Sequence, residues 1–299
     1  MIRIANAPCS WGALEFDLTE PAPGYAQVLD EMAATGYAGT ELGDFGFMPT
    51  EPEQLRKELA RRGLALLAAF VPVAVANPAA HAAGAEVAVR TARLLAAASG
   101  ERPMIVLADD NGSVALRREH AGRVAPEHGL RDAEWDTFAA GAMRIARAVR
   151  EATGLRTVFH HHCAGYVETP AEIDALMRRT DPGLLGLCLD TGHLTYGGGD
   201  PLAVLSRHGD RVWHVHFKDC DPGVARQARQ QGWDYFEAVR RGIFCELGRG
   251  SVDFPGLAAA LAARGYGGWI VVEQDVLPGM GTPAASARRN REYLRSIGL

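Results

Sequence analysis

Short apolar runs alternate with longer amphipathic stretches along the whole chain. The short runs, at residues 2–8, 39–43, 64–71, 104–108, 155–159, 185–190, 212–218 and 268–273, have the length and β-branched content of strands. The longer stretches, at 23–35, 52–62, 79–98, 133–152, 170–179, 254–263 and 283–296, repeat apolar residues at helical spacing, and several stop at a glycine. Between the sixth and seventh strands lie a turn and a short helix. A polar stretch at 111–131 follows the fourth strand, and a long insertion at 220–251 follows the seventh. Strand followed by helix, repeated eight times with short links, predicts a parallel sheet and a single α/β domain over residues 1–299, a (β/α)8 TIM barrel. An open doubly wound sheet is the rival. It calls for a glycine-rich phosphate loop after the first strand, and CSWGALEF is not one.

A barrel of this kind works at the C-terminal ends of its strands. Acids, histidines and one lysine collect there: Glu41 on the second strand, His160 and His162 on the fifth, Asp190 on the sixth, His216 and Lys218 on the seventh and Glu273 on the eighth. Side chains of a strand alternate between faces, so His214, His216 and Lys218 share one face. Carboxylates converging with imidazoles suit a borderline divalent cation. Asp190, His216 and Glu273 are expected ligands, with His160 favoured over His162 as the strand-five ligand, and manganese or cobalt is the expected ion, with zinc or magnesium as alternatives. His214, one layer deeper, reads as a hydrogen-bonded core residue. Glu41, His162, His193 and Lys218 are the catalytic candidates, Lys218 as a charge stabiliser rather than a base. Trp11 is expected as an apolar pocket wall, and Glu246 as a pocket residue from the insertion.

Composition narrows the function classes. The 299 residues are 47% hydrophobic with a formal net charge of −5, which argues against nucleic acid as a partner. Arg61, Arg62, Arg240 and Arg241 read as solvated helix faces. No apolar run reaches the roughly 20 residues of a membrane span. Five cysteines, an odd number with no CxxC pair, and an N-terminus that reads directly as a strand predict a reduced, cytoplasmic protein. Cys188 reads as a small buried residue.

The stretches FHHHCAGYVETPAEIDALMRRTDPGLLGLCLDTGHLTYGGGD, DRVWHVHFKD, GRGSVDF and YGGWIVVEQD, with AP-x-x-W and GYAGTELG nearer the N-terminus, resemble the xylose-isomerase-like TIM-barrel superfamily. Within it they are most similar to the inosose dehydratases. The resemblance implies ligands from strands five to eight, with Asp190, His216 and Glu273 among them, and the histidine triple where many members carry a glutamate. It implies a lyase that dehydrates a keto-polyol through an enediolate in inositol catabolism, with a keto-sugar isomerase or epimerase as the alternative. A three-zinc DNA endonuclease of the same superfamily conflicts with the acidic balance, and a non-catalytic sugar sensor conflicts with the ligand set. Superfamily members often pair, and the insertion is a candidate homodimer surface. Three loops depart from the dehydratase pattern: GALEFD lacks an Asn-Asp-Asp, CELGRG replaces Pro-Gly-x-Gly, and VVEQD replaces VVEAEQD.

Overall fold

The computed structural model describes residues 2–12 and 23–299. The divergent segment after Trp11 falls mostly outside the described residues.

Among the described residues, eleven strands form in chain order: β1 Arg3–Asn6, β2 Gly39–Thr40, β3 Ala65–Leu66, β4 Ala68–Pro72, β5 Met104–Ala108, β6 Arg156–His160, β7 Leu185–Asp190, β8 Val212–Phe217, β9 Asp219–Cys220, β10 Phe244–Cys245 and β11 Trp269–Val272. Nine of them lie parallel in the order β3-β2-β1-β11-β8-β7-β6-β5-β4. The two ends of that order are consecutive in the chain, with only Leu67 between them. The Leu67 N–H donates to the Thr40 carbonyl at 3.1 Å, and its own carbonyl accepts from Met104 at 2.9 Å. That residue draws the sheet into a ring. β3, Leu67 and β4 together occupy the place of the third predicted strand, so the eight-unit reading holds.

Strand alternation divides the core into two layers. Leu187, Leu189, Val215, Phe217, Ile270 and Val272 point outward, into the layer beneath the helices. Ala5, Ala7, Leu67, Val106, Val158, Cys188 and Val271 fill the barrel interior. Small side chains there leave room, one layer higher, for the polar residues of the mouth. The outer helices start by a shared device. Thr169, Asp200, Asp221 and Thr282 each cap a helix whose next residue is proline: Pro170–Arg179, Pro201–His208, Pro222–Gln231 and Pro283–Ser296. The cap satisfies an orphan N–H, and proline costs nothing at the first helical position.

Two long connections carry structure of their own. The stretch 111–131 holds the short helix Ala115–Glu119 and packs against the loop after β6, with the Gly112 N–H on the Ala164 carbonyl at 3.0 Å. The insertion is an antiparallel ribbon of β9 and β10 that encloses the helices Pro222–Gln231 and Tyr235–Arg240. No described helix is long and apolar enough to cross a membrane. One expected surface residue is not on the surface. The Arg62 side chain is only 4% exposed, because from the turn after the helix Pro52–Ala60 it bonds Glu58 on that helix and Asp30 and the Ala26 carbonyl on the helix Tyr25–Ala34.

Candidate metal centre and pocket

β7 and β8 set the site. Their register places Asp190 beside His216 and Cys188 beside His214. Asp190 ends its strand and caps the helix Thr191–Tyr196, where its Oδ1 accepts the His193 N–H at 2.8 Å. Oδ2 is left buried without a hydrogen-bond partner among the described residues. It lies 3.6 Å from His160 Nε2 and 3.8 Å from His216 Nδ1. Glu273 Oε1 stands 3.2 Å from the same Nδ1, which also lacks a hydrogen-bond partner. One donor atom from each of His160, Asp190, His216 and Glu273 falls within a 4.8 Å cluster. Buried polar atoms are normally paired. Unpaired donors on converging carboxylates and imidazoles are what a divalent cation would satisfy. Burial, with the nearby His216 adding to it, holds His160 down to about 3, so it is a neutral imidazole, the form that binds metal. Cys188 also stands near His160 and His216, but burial pushes its thiol up to about 12 and keeps it protonated at neutral pH.

The other sequence candidates arrange around this cluster. Glu41 follows β2 and lines the cavity, with Oε1 2.6 Å from His214 Nε2 and 2.9 Å from His216 Nε2. Burial alone would raise its carboxyl. The charge of His216 and the hydrogen bonds of both imidazoles outweigh burial and hold it well below the usual range. His214 is therefore a hydrogen-bonded residue deeper in the barrel. His161 points away from the cavity, and its Nε2 accepts the Asp190 N–H at 3.1 Å, bracing β7. His162 lines the cavity, and its Nδ1 donates to the Cys163 carbonyl at 2.6 Å. Lys218 lies just past β8. Burial opposes its charge, but Asp275, Glu273 and Asp190 outweigh burial and raise it well above the ordinary lysine value. It stays an ammonium ion, 3.2 Å from Glu273 and 3.4 Å from Asp275. His193 is fully buried behind Lys218 and His162. Burial, reinforced by His162 and Lys218, keeps its imidazole well below the ordinary value. Its Nε2 is 3.2 Å from Lys218 Nζ, and its Nδ1 is 3.3 Å from the Cys163 N–H. A neutral imidazole accepts through only one nitrogen, so one of these two bonds is made at a time.

The shared motifs bond to one another. Thr191 of DTGH exchanges hydrogen bonds with the Lys218 backbone through its hydroxyl, at 2.7 and 3.0 Å. Asp219 of HFKD accepts backbone N–H groups from Gly248, Gly250 and Val252, which shapes the GRGSV loop. Gly192 is required by contact: a Cβ there would stand 2.6 Å from Lys218 Cγ. Gly192→Ala should displace the ammonium and lower kcat by about 10²-fold, the scale of a roughly 1 Å misplacement, with the circular dichroism spectrum unchanged. Wild-type kcat in this variant would show that the lysine position is unimportant.

Two expectations fail. Trp11 belongs to the core outside the barrel, and its indole N–H donates to Glu31 at 2.7 Å. The 3-10 turn Pro8–Trp11 presents Pro8 and Cys9 to the cavity and carries the indole back toward the helix Tyr25–Ala34. Glu246 also misses the cavity. It faces the last helix, where it bonds Ser286 and Arg289, and pairs with Arg249. Among the cavity residues that were not foreseen, two carry hydrogen-bonding groups close to the site. Asp275 follows Glu273 by two, and strand alternation carried past β11 would have placed it on the same face. Tyr235 arrives from the insertion with its hydroxyl 3.4 Å from His162 Nε2, and no local pattern marked it.

The cavity encloses about 690 Å³ including its open mouth, and Phe70, Pro8 and Leu277 add apolar wall. A parallel α/β ring with a carboxylate–imidazole cluster at its C-terminal mouth defines the class: a (β/α)8 barrel with a candidate metal centre and a small-molecule pocket. The chain belongs to the xylose isomerase-like TIM barrel family, which it matches over residues 29–297. It is 34% identical to an inosose dehydratase of Geobacillus kaustophilus over 98% of this chain and 93% of that protein. It is 32% identical to an inosose dehydratase of Lacticaseibacillus casei, over 98% and 96%. Among solved structures, a probable 3-DHS dehydratase from Bacillus anthracis superposes with a TM-score of 0.74 at 14% identity, covering 98% of this chain and 99% of that one. An L-ribulose 3-epimerase gives 0.70 at 18% identity, covering 99% and 94%. At those identities the two structures speak for the fold.

Proposed function

We propose that this protein is a divalent-metal-dependent dehydratase of a neutral keto-polyol of the inosose type. The observation that carries the reading is the cluster of His160, Asp190, His216 and Glu273 with its unpartnered donors, set on a cavity that His162 and Lys218 line. Manganese or cobalt suits that donor set. A bound ion would polarise the substrate carbonyl and acidify the neighbouring C–H. Near-full-length similarity to proteins named inosose dehydratase supports the reaction class.

The chain's own residues supply the rest. Donation from His162 Nδ1 to the Cys163 carbonyl fixes the tautomer and leaves the Nε2 lone pair unprotonated. That nitrogen removes the proton α to the ketone. The Lys218 ammonium offsets the negative charge of the resulting enediolate. His162 then gives its proton to the β-hydroxyl, which leaves as water. His193, a catalytic candidate from sequence, is shielded from the cavity and instead fixes Lys218. Among the described residues, the cavity carries the carboxylates of Glu41, Glu273 and Asp275 against the single cation Lys218. A bound divalent ion and Lys218 together would only balance those three carboxylates, which leaves no surplus positive charge for a phosphate and favours an uncharged polyol over a phosphorylated sugar.

Turnover of 2-keto-myo-inositol by protein stripped with chelator and refilled with manganese or cobalt tests the proposal. Unsaturated or dione product that depends on the added metal is expected. Stoichiometric metal with no product would remove the inosose assignment, and an epimer or isomerised sugar from a keto-sugar screen would put the alternative in its place.

A further inference from the structure

His216 uses its two ring nitrogens in opposite directions. Nδ1 faces Glu273 Oε1 and Asp190 Oδ2, at 3.2 and 3.8 Å. Nε2 faces Glu41 Oε1 at 2.9 Å, and the same oxygen lies 2.6 Å from His214 Nε2. Glu41, His214 and His216 are all buried, and by distance alone they form a second candidate ion-binding group. The two groups differ in satisfaction. Glu41, His214 and His216 Nε2 are paired with one another, whereas Asp190 Oδ2 and His216 Nδ1 have no partner among the described residues.

We propose that Glu41, braced by His214, is a positioning residue that fixes His216 with the proton on Nε2 and the Nδ1 lone pair aimed into the His160–Asp190–Glu273 cluster. Metal binding displaces a proton from its imidazole ligand, and a carboxylate held against Nε2 keeps the remaining ring proton there. The other nitrogen is then the ligand, in a fixed direction. Metal-binding histidines are commonly oriented in this way, and loss of the orienting group weakens metal binding. His214 supplies the second hydrogen bond to the same oxygen, so the Glu41 carboxylate cannot turn further into the cavity it lines without breaking two buried contacts. This arrangement removes Glu41 from the possible bases and leaves that work to His162. The inference rests on the metal site proposed above.

The test is the Mn²⁺ dissociation constant and stoichiometry, measured by competition with a chelator, for wild type, Glu41→Gln and His214→Leu, with apo-protein melting as the check on folding. Glu41→Gln is expected to bind one ion per chain roughly 10–100-fold more weakly, with kcat at saturating Mn²⁺ changed much less than the affinity. Glu41→Asp should recover part of the loss. His214→Leu should shift affinity in the same direction by less. Unchanged affinity with collapsed kcat in Glu41→Gln would make Glu41 a base and overturn the inference. Two ions per wild-type chain, one lost in Glu41→Gln, would make it a ligand and also overturn it. A wild-type chain that binds no Mn²⁺ would fail the metal site itself, a separate result. If Glu41→Gln does not fold, the His214 pair decides. His214→Gln keeps a donor for Glu41 and should bind near wild type, while His214→Leu should not. Equal affinities in the two variants would sink the proposal.

Discussion

Replacing Glu273 with glutamine should abolish metal-dependent turnover and leave the barrel folded. The side chain keeps its size, so packing at the end of β11 changes little. Its charge does not survive, and that charge faces two partners: Oε1 is 3.2 Å from His216 Nδ1 and Oε2 is 3.2 Å from Lys218 Nζ. Two functions therefore fail together. The candidate metal cluster loses one of its two carboxylates, and Lys218 loses one of the groups that hold its ammonium in place. Polarisation by a bound ion contributes several kcal/mol to a transition state, and each 1.36 kcal/mol is a factor of ten in rate. The expected fall in kcat is therefore roughly 10³-fold or more, with weaker metal retention on dialysis. Steady-state kinetics and metal analysis of the dialysed protein check both parts. A variant with stoichiometric metal and more than a tenth of wild-type kcat would show that Glu273 is neither a ligand nor needed by Lys218.

The sequence made the barrel legible because two periodicities repeat. Runs such as 185–190 and 212–217 are apolar on both faces except for Asp190 at the end of the first and His214 and His216 on the inward face of the second. His216 and Asp190 could be placed at the mouth on that basis, since alternation and position along the strand are enough to do so. The direction of a ring nitrogen was not legible. His193 follows Asp190 by three and reads as a second active-site histidine, yet the helix it opens turns its ring behind Lys218. Trp11 failed for a similar reason: a 3-10 turn of four residues decides which of Pro8, Cys9 and Trp11 meets the cavity. Glu246 and Tyr235 both sit in the insertion, where tertiary packing alone selects the pocket residue. Arg62 was the most misleading, although Arg61, Arg240 and Arg241 are exposed as expected. Charge in an amphipathic helix usually means solvent, and in Arg62 it means a crossing between two helices.

Arg117 carries that lesson furthest, and Arg117→Met should be among the most destabilising single changes in the chain. The side chain is fully buried. Its guanidinium makes two parallel bonds to Glu172, at 2.7 and 2.9 Å, and its Nε donates to the Gly165 carbonyl at 2.8 Å. Glu172 in turn accepts the Glu168 and Thr169 N–H groups at 3.0 and 2.9 Å. Methionine fills much of the space but leaves Glu172 as a buried charge without its cation. Breaking a buried pair from one side costs about 3–5 kcal/mol, which in a chain of this size lowers the melting temperature on the order of 10 °C. A second change, Glu172→Leu, removes the stranded charge and should recover part of that loss. The effect on catalysis follows from what the pair secures. Gly165 sits in the loop between His162 and Val167, where the His162 N–H bonds the Val167 carbonyl at 2.9 Å and Ala164 is held at a positive φ of 66°. Loosening that loop releases the cavity-facing His162, while Asp190, His216 and Glu273 remain on their own strands. kcat should therefore fall in Arg117→Met well beyond any change in Mn²⁺ affinity, measured below the lowered melting point. A melting temperature within a few degrees of wild type, or equal losses of kcat and metal affinity, would show that this buried pair does not brace the histidine loop.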